Sequence, residues 1–90
     1  MNFEWDQNKN ITNYKKHSIS FELAKEVFED TNCKYKFDRH IDNEDHYHAI
    51  GVIRGVIVAV VVHSFTNDST IRIISARKAN KTEVKYYEKN

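Results

Sequence analysis

The longest apolar run of the sequence, residues 55–62, limits what this chain can fold into more than any other segment. It reads Gly-Val-Ile-Val-Ala-Val-Val-Val, and most of its residues are β-branched. A membrane helix needs about 20 apolar residues, so the run predicts a buried strand and no membrane span. Arg54-Gly55 predicts a turn before it. The run is therefore expected to form the central strand of a sheet, as the second strand of a hairpin.

Periodic patterns on both sides of this run predict helices first, then antiparallel strands, then a closing helix. Asp6 is a predicted N-cap, and a second helix begins at Ser18 or Ser20 with a buried stripe of Phe21, Ala24, Val27 and Phe28. The predicted helices cover residues 7–16, about 20–29 and 79–87, and the strands cover 34–38, 44–53, 56–62 and 70–75, with a loop at 39–43 and a turn at Asn67-Asp68. We expect an α+β arrangement of N-terminal helices, an antiparallel sheet of about four strands and a short C-terminal helix, with the helices packed against one face of the sheet.

Length and composition predict one ordered domain over residues 1–90. The chain is 40% hydrophobic and 30% charged and contains no proline, which is typical of an ordered domain. Its single cysteine, Cys33, forms no internal disulfide, which favours a reducing compartment. Glu4 and Asp6 near the N-terminus, with no apolar run after them, are unlike a secretory signal. We therefore expect a cytoplasmic protein.

Positive charge is concentrated towards the C-terminus. Residues 71–90 carry six Lys or Arg against two Asp or Glu, whereas residues 1–30 carry four against six. Arg72, Arg77 and Lys78 fall on the last predicted strand and its exit. Guanidinium groups bind phosphate oxygens bidentately and stabilise the charge that builds during phosphoryl transfer. This cluster predicts a phosphate-binding surface, and a solvated basic face is the alternative.

Lys16-His17 and Glu44 are candidates for positioning and proton transfer. A cation at the end of the first helix complements the helix dipole, which is a structural explanation, whereas His17 near neutral pH can act as a general acid or base. Glu44 begins a strand and is expected to pair with Arg72 or Arg77, or else to lie exposed at the strand end.

Two further groups of residues have weaker signals. His46 and His48 share one strand face, with His40, His63 or Cys33 as remote partners, but no CxxC or HxxxH spacing accompanies them. We predict no metal and no other cofactor. Of Tyr86 and Tyr87 only one can face inward; Tyr87 is predicted to pack on the core, which leaves Tyr86 to stack on a base.

Taken together, several segments resemble the BrnT family. The matching residues are Phe3-Glu4-Trp5-Asp6, Asn13, Lys16-His17, Phe21, Ala24, Val27-Phe28, Asp30, Glu44, Ile50-Gly51, the apolar strand, the segment Arg-Ile-Ile-Ser-Ala-Arg-Lys-Ala at residues 72–79, Glu83 and Tyr87. The likeness covers nearly the full chain. Its specific part is the combination of the Phe-Glu-Trp-Asp opening with Ser-Ala-Arg-Lys-Ala.

The resemblance implies a RelE-like fold and an RNA-cleaving toxin that stops translation. It also implies a neutralising partner similar to the antitoxin BrnA, with a ribbon-helix-helix region, so that DNA is contacted only through the antitoxin. The residues carried over as catalytic are Arg72, Arg77, Glu44 and His17, and those for RNA binding are Lys16, Lys78, His46 and Tyr86. RNA supplies its own nucleophile, the 2′-OH, so the arginines would stabilise the phosphorane while Glu44 or His17 moves protons, without a metal.

Two departures from the family pattern bear on activity. His46 stands where arginine is common and Ser18 where glycine is usual. Because histidine is fully charged only at lower pH, RNA binding is expected to be weaker or pH-sensitive. A non-catalytic module that binds RNA or an acidic protein through the same basic face is the alternative function, and a metal-binding regulator is a third.

Overall fold

The computed structural model describes residues 1–67 and 69–89. In chain order the elements are β1 (Asn2–Glu4), α1 (Gln7–His17), α2 (Phe21–Ala24) continued by a 3-10 helix (Lys25–Glu29), β2 (Lys34–Ile41), β3 (Glu44–Ile53), β4 (Ile57–Asn67), β5 (Thr70–Lys78) and α3 (Lys81–Glu88). The predicted turn at Asn67-Asp68 includes Asp68, which lies outside the described residues.

The sheet has five strands in the order β1-β5-β4-β3-β2. The apolar run forms the start of β4, which is the central strand as predicted. The expectation of an antiparallel sheet of about four strands was wrong, because β1 pairs in parallel with β5. The three residues of β1 are too few to show the alternating pattern by which a strand is predicted from sequence. Tertiary contacts hold them instead: the ring of Phe3 lies 5.4 Å from that of Phe28, and Glu4 pairs with Arg72.

The main core lies between the sheet and the N-terminal helices. Phe21, Ala24 and Val27 are fully buried, which confirms the predicted helical stripe. They pack with sheet residues that include Ala49 and Val61. The helical layer packs closely on β3 at Gly51, where a Cβ would come within 3.0 Å of Val27. This core fixes α1 and α2 on one face of the sheet.

The C-terminal helix α3 packs on the opposite face, so the expectation that the helices cover one face was wrong. Ala76 points into the main core, and the next residue on β5, Arg77, therefore points to the other side. There it binds Glu83 of α3. Ile50 and Val60 are buried but lie outside the main core, which fits a second, smaller apolar layer under α3. Helices therefore lie on both faces of the sheet.

The connection between β2 and β3 differs from the sequence prediction, whereas the start of α2 agrees with one of its two alternatives. Residues 39–41 belong to β2 and are not a loop, since Asp42 and Asn43, with φ of 52° and 62°, turn the chain directly into β3. Such a pair of positive φ angles is typical of a tight hairpin turn. Between α1 and α2, Ser18 ends α1 in the left-handed conformation, and Ser20 caps α2 by accepting a hydrogen bond from the Leu23 N–H.

Candidate active site

Beyond Arg72, the outer edge of β5 is not paired with β1, and α1 lies along it. The side chain of Asn13 accepts a hydrogen bond from the N–H of Ala76 at 3.1 Å and donates one to its carbonyl at 2.9 Å. It also donates to the carbonyl of Ile19 at 2.9 Å. One asparagine therefore replaces a neighbouring strand and fixes the distance between α1 and β5.

A cleft of about 530 Å³ opens between α1 and this edge. It is lined by Asn8, Lys9, Thr12, Asn13, Lys16, His17, Ile74, Ser75 and Arg77. Three of these side chains are cationic, one is a histidine and none is a carboxylate. We call the cleft lined by these nine residues the edge cleft. Its charge and hydroxyl groups suit an anionic ligand such as a phosphodiester.

Arg77 is held rigidly at the edge cleft by Glu83. Its two terminal nitrogens donate to the two carboxylate oxygens of Glu83 at 2.7 and 2.8 Å, and it also donates to the carbonyl of Lys78 at 3.3 Å. These hydrogen bonds lower the pKa of Glu83 to about 2 and raise the pKa of Arg77. A guanidinium has five N–H donors, so donors remain for a ligand. Glu83 is therefore ionised and fixes the orientation of Arg77.

Arg72 belongs to a second group, on the face of the sheet that carries α3. Its guanidinium lies 3.0 Å from the carboxylate of Glu4 and 3.5 Å from that of Glu44. Glu44 in turn lies 3.3 Å from the Nε2 of His46. Of the two pairings expected for Glu44, the structure forms the one with Arg72. Two carboxylates balance the charge of Arg72, whereas no carboxylate lines the edge cleft.

The remaining predicted residues lie elsewhere. Lys78 is exposed on β5 opposite Ala59 and is not part of the cleft lining. Tyr86 is 39% exposed on α3, where Lys34 and Lys36 lie 5.1 and 5.5 Å from its ring. Tyr86 therefore lies near β2, at the opposite edge of the sheet from β5, and does not line the cleft.

Sequence reasoning missed Lys9, Thr12 and Ser75 as lining residues of the cleft. Lys9, Thr12 and Lys16 follow one another at spacings of three and four, which places them on one face of α1. That spacing was a usable signal. Ser75 had none, because its place at the cleft depends on the open edge of β5.

The histidines of β3 are paired with carboxylates rather than with each other. His46 lies beside Glu44, and His48 lies 3.5 Å from Asp38. Within residues 1–67 and 69–89, no group of three or more His, Cys, Asp or Glu side chains is arranged to hold a metal ion. No helix in this part of the chain is long and apolar enough to cross a membrane.

Comparison with known proteins assigns this arrangement to a family. The sequence model described as the ribonuclease toxin BrnT of type II toxin-antitoxin systems matches residues 5–83, which include both groups of basic residues. The chain belongs to the BrnT family. Its members are ribonuclease toxins, and a type II system pairs such a toxin with an antitoxin. The family resemblance seen in the sequence is therefore confirmed.

The fold supports the same assignment. The crystal structure of the Brucella abortus ribonuclease toxin BrnT has a TM-score of 0.71 to this chain at 29% sequence identity, and the match covers 90% of this chain and 99% of that one. A comparison with curated protein sequences gives no match. The likeness to a BrnT toxin thus extends over nearly the whole α+β fold.

Proposed function

We propose that this BrnT-family protein is an endoribonuclease that cleaves RNA at the edge cleft without a metal ion. The observation that carries the proposal is that Lys16, His17 and Arg77 line one cleft that has no carboxylate in its lining. An RNA phosphate entering the cleft meets cations from both α1 and β5. The reaction is intramolecular, because the neighbouring 2′-OH attacks the phosphorus and the 5′-oxygen leaves.

The geometry supports distinct roles for these side chains. Arg77, oriented by Glu83, offers its remaining donors to the phosphorane oxygens, where preorganised charge lowers the barrier most. His17 is half-buried at the end of α1, where it takes the proton of the 2′-OH and then gives it to the leaving 5′-oxygen. Lys16 holds the phosphate in place. Lys78, at the exposed end of β5, contacts the RNA outside the cleft.

The second group has a supporting role in this proposal. Arg72 and His46 contact the RNA outside the cleft, and Glu44 orients Arg72 rather than acting as the base, because it already lies between Arg72 and His46. Tyr86 stacks on a base only if the RNA crosses the face that carries α3. The similarity of this activity to RelE-like mRNA cleavage, with arrest of translation in the cytoplasm, is part of the same proposal.

The partner in this proposal is a BrnA-like antitoxin that carries a ribbon-helix-helix region. A toxin with a cationic cleft needs a protein that keeps RNA out while the cell grows. DNA would then be bound by the antitoxin and not by this chain.

Induced expression tests the nuclease proposal. Wild type and Arg54→Ala, an exposed arginine of the β3–β4 turn paired with Glu26, are expected to stop growth and degrade RNA. Arg77→Ala and His17→Ala are expected to do neither, and His17→Ala should lower the cleavage rate of the purified protein about 10²- to 10⁴-fold. Arg77→Ala also removes the pair with Glu83, so its circular dichroism spectrum must match that of wild type to show that the variant is folded.

Three outcomes contradict the proposal. Healthy cells with intact RNA after induction of wild type would indicate a binding module instead of an enzyme. Cleavage retained by both cleft variants would move the active site elsewhere. Loss of cleavage in a chelator, with restoration by a divalent cation, would exclude the metal-free reaction.

A further inference from the structure

Part of the sheet on the side of α1 and α2 is left uncovered, and it is aromatic. Tyr35 and Phe37 of β2, Tyr47 of β3 and Phe65 of β4 form a continuous surface, called the aromatic face below. Phe37 and Tyr47 have ring centroids 5.9 Å apart, and Tyr47 and Phe65 are 5.5 Å apart. Tyr35, Phe37 and Phe65 are 50%, 56% and 54% exposed. Exposed aromatic groups in contact mark a surface that binds another molecule.

The aromatic face ends at an open strand. In the described part of the chain, β2 pairs only with β3 and forms one edge of the sheet. Its outer backbone N–H and carbonyl groups are available to an added strand, which is a common way for a protein to bind an extended segment. The other edge strand, β1, has only three residues. β2, with eight, is the longer template.

The two sides of β2 differ in charge. On the side away from the aromatic face, Lys36 pairs in register with His48 and Arg39 with His46. Lys36 makes no ion pair within residues 1–67 and 69–89, and the only carboxylate near Arg39 is that of its neighbour Asp38 at 3.3 Å. A strand added to β2 would therefore meet aromatic rings on one side and cations on the other.

These features disfavour RNA and a second copy of the chain as the occupant. On the side of β2 that carries the aromatic rings, His40 and Asp45 pair with each other at 2.7 Å, so among the described residues no unpaired cation lies beside the rings to hold the phosphates of stacked bases. Two β2 strands paired antiparallel about their midpoint would place Lys36 of one copy opposite Arg39 of the other. Like charges directly opposite one another are destabilising.

We propose that the antitoxin of this system docks here by adding a strand to β2. Its apolar side chains would cover the aromatic face and its alternating acidic side chains would face Lys36 and Arg39. Three half-exposed aromatic groups supply roughly 300 Å² of apolar surface, and a stable interface needs about 800 Å² per partner, so the antitoxin segment must run along most of β2. This inference rests on the toxin-antitoxin pairing in the proposed function.

Binding of the purified cognate antitoxin to purified toxin variants tests the docking surface. Phe37→Glu and Lys36→Glu are expected to raise Kd by about 30-fold or more, as loss of a central contact does. The matched controls Val56→Glu and Arg54→Glu, on the exposed β3–β4 turn, should bind as wild type. Both β2 variants should still cleave RNA, because neither side chain lines the edge cleft.

Hydrogen exchange of the wild-type complex provides a second readout. Amides of residues 34–41 are expected to become protected when the antitoxin binds. No protection there, or an unchanged Kd for Lys36→Glu, would overturn the docking proposal even if Phe37→Glu failed to fold. RNA cleavage is measured separately, so a wild type that binds antitoxin through β2 but cuts no RNA would overturn the nuclease proposal alone.

Discussion

The side chain of Asn13 hydrogen-bonds both backbone polar groups of Ala76, across 63 positions of sequence. Both residues are buried, at 7% and 0% exposure. Asn13 occupies the place of a missing strand, and the edge cleft exists because α1 is held there. The proposed nuclease site therefore depends on one amide side chain that holds α1 against β5.

Replacing Asn13 with alanine is expected to destabilise the protein by about 2–4 kcal/mol. The substitution leaves the N–H and carbonyl of Ala76 and the carbonyl of Ile19 buried without partners, and each such group costs about 1–3 kcal/mol when it is not resolvated. Urea unfolding measures the loss. Asn8→Ala, an exposed asparagine of the same helix, should change the free energy of unfolding by less than about 0.5 kcal/mol. Equal effects at both positions would contradict the role of Asn13.

Glu83 is expected to make stability depend on pH between about 4.5 and 2. Its pKa falls from 4.5 in the unfolded chain to about 2 in the folded one, chiefly through hydrogen bonds from Arg77. The folded chain binds fewer protons in this window, so the stabilisation is complete above pH 4.5 and is lost as the pH falls towards 2.

Glu83→Gln should therefore flatten the pH profile of the unfolding free energy in that window. At pH 7 the substitution should lower the free energy of unfolding by about 1–2 kcal/mol. This is the lower end of the range for charged hydrogen bonds, because Arg77 is partly exposed. Glu88→Gln, an exposed position of the same helix, serves as the control. A profile that stays as steep in Glu83→Gln as in wild type would refute the assignment.

His63 is expected to reduce stability as the pH falls below about 6.5. It is fully buried against Phe28, Tyr35, Tyr47 and Phe65, and burial lowers its pKa. The unfolded chain takes up the proton first, so stability is complete above the unfolded pKa and decreases below it by up to about 1.4 kcal/mol per pH unit.

His63→Leu removes the titrating imidazole and fills its buried position with an apolar side chain. Urea unfolding at pH 5.5 and 7.5 should show a smaller difference for His63→Leu than for wild type. An equal difference in the two proteins would show that His63 is not the source of the pH dependence.

The substitution Ser18→Gly is expected to stabilise the protein by about 0.5–1 kcal/mol. Ser18 has φ of 61° and ends α1 in the left-handed conformation, in which a Cβ is unfavourable and glycine is the usual residue. Thermal unfolding should show a Tm higher by several degrees, at about 4–8 °C per kcal/mol for a domain of this size. Ser18→Ala keeps the Cβ and should give no increase; an increase in that variant would show that strain at φ is not the cause.

Local patterns in the sequence predicted the elements well where one residue type repeated or a cap was present. The β-branched run predicted the central strand β4, and the stripe of Phe21, Ala24 and Val27 predicted the buried face of the second helical segment. Asp6 caps α1 as expected, accepting from the N–H groups of Asn8 and Lys9. These features depend on neighbours in sequence. The BrnT motifs added the family, because residue identities at fixed positions carry more information than hydropathy.

Only the tertiary structure decided which face of α1 is buried and which basic residues meet. The buried residues of α1 are Asn10 and Asn13, whereas Ile11 and Tyr14 are 47% and 57% exposed. Asparagine is buried there because its amide satisfies backbone groups that hydropathy does not reveal: Asn10 accepts from the Phe21 N–H at 2.8 Å.

The division of the basic residues has the same origin. Arg72 and Arg77 are close in sequence, yet Arg72 lies between Glu4 and Glu44 while Arg77 joins Lys16 and His17 at the edge cleft. The parallel pairing of β1 with β5 brings Glu4 to Arg72 and ends before Arg77, which leaves the edge open for α1. The sequence determined the central strands and the family. The pairing of distant segments decided the edge strand β1 and which residues line the candidate site, because hydrogen bonds and charges act through space and not along the chain.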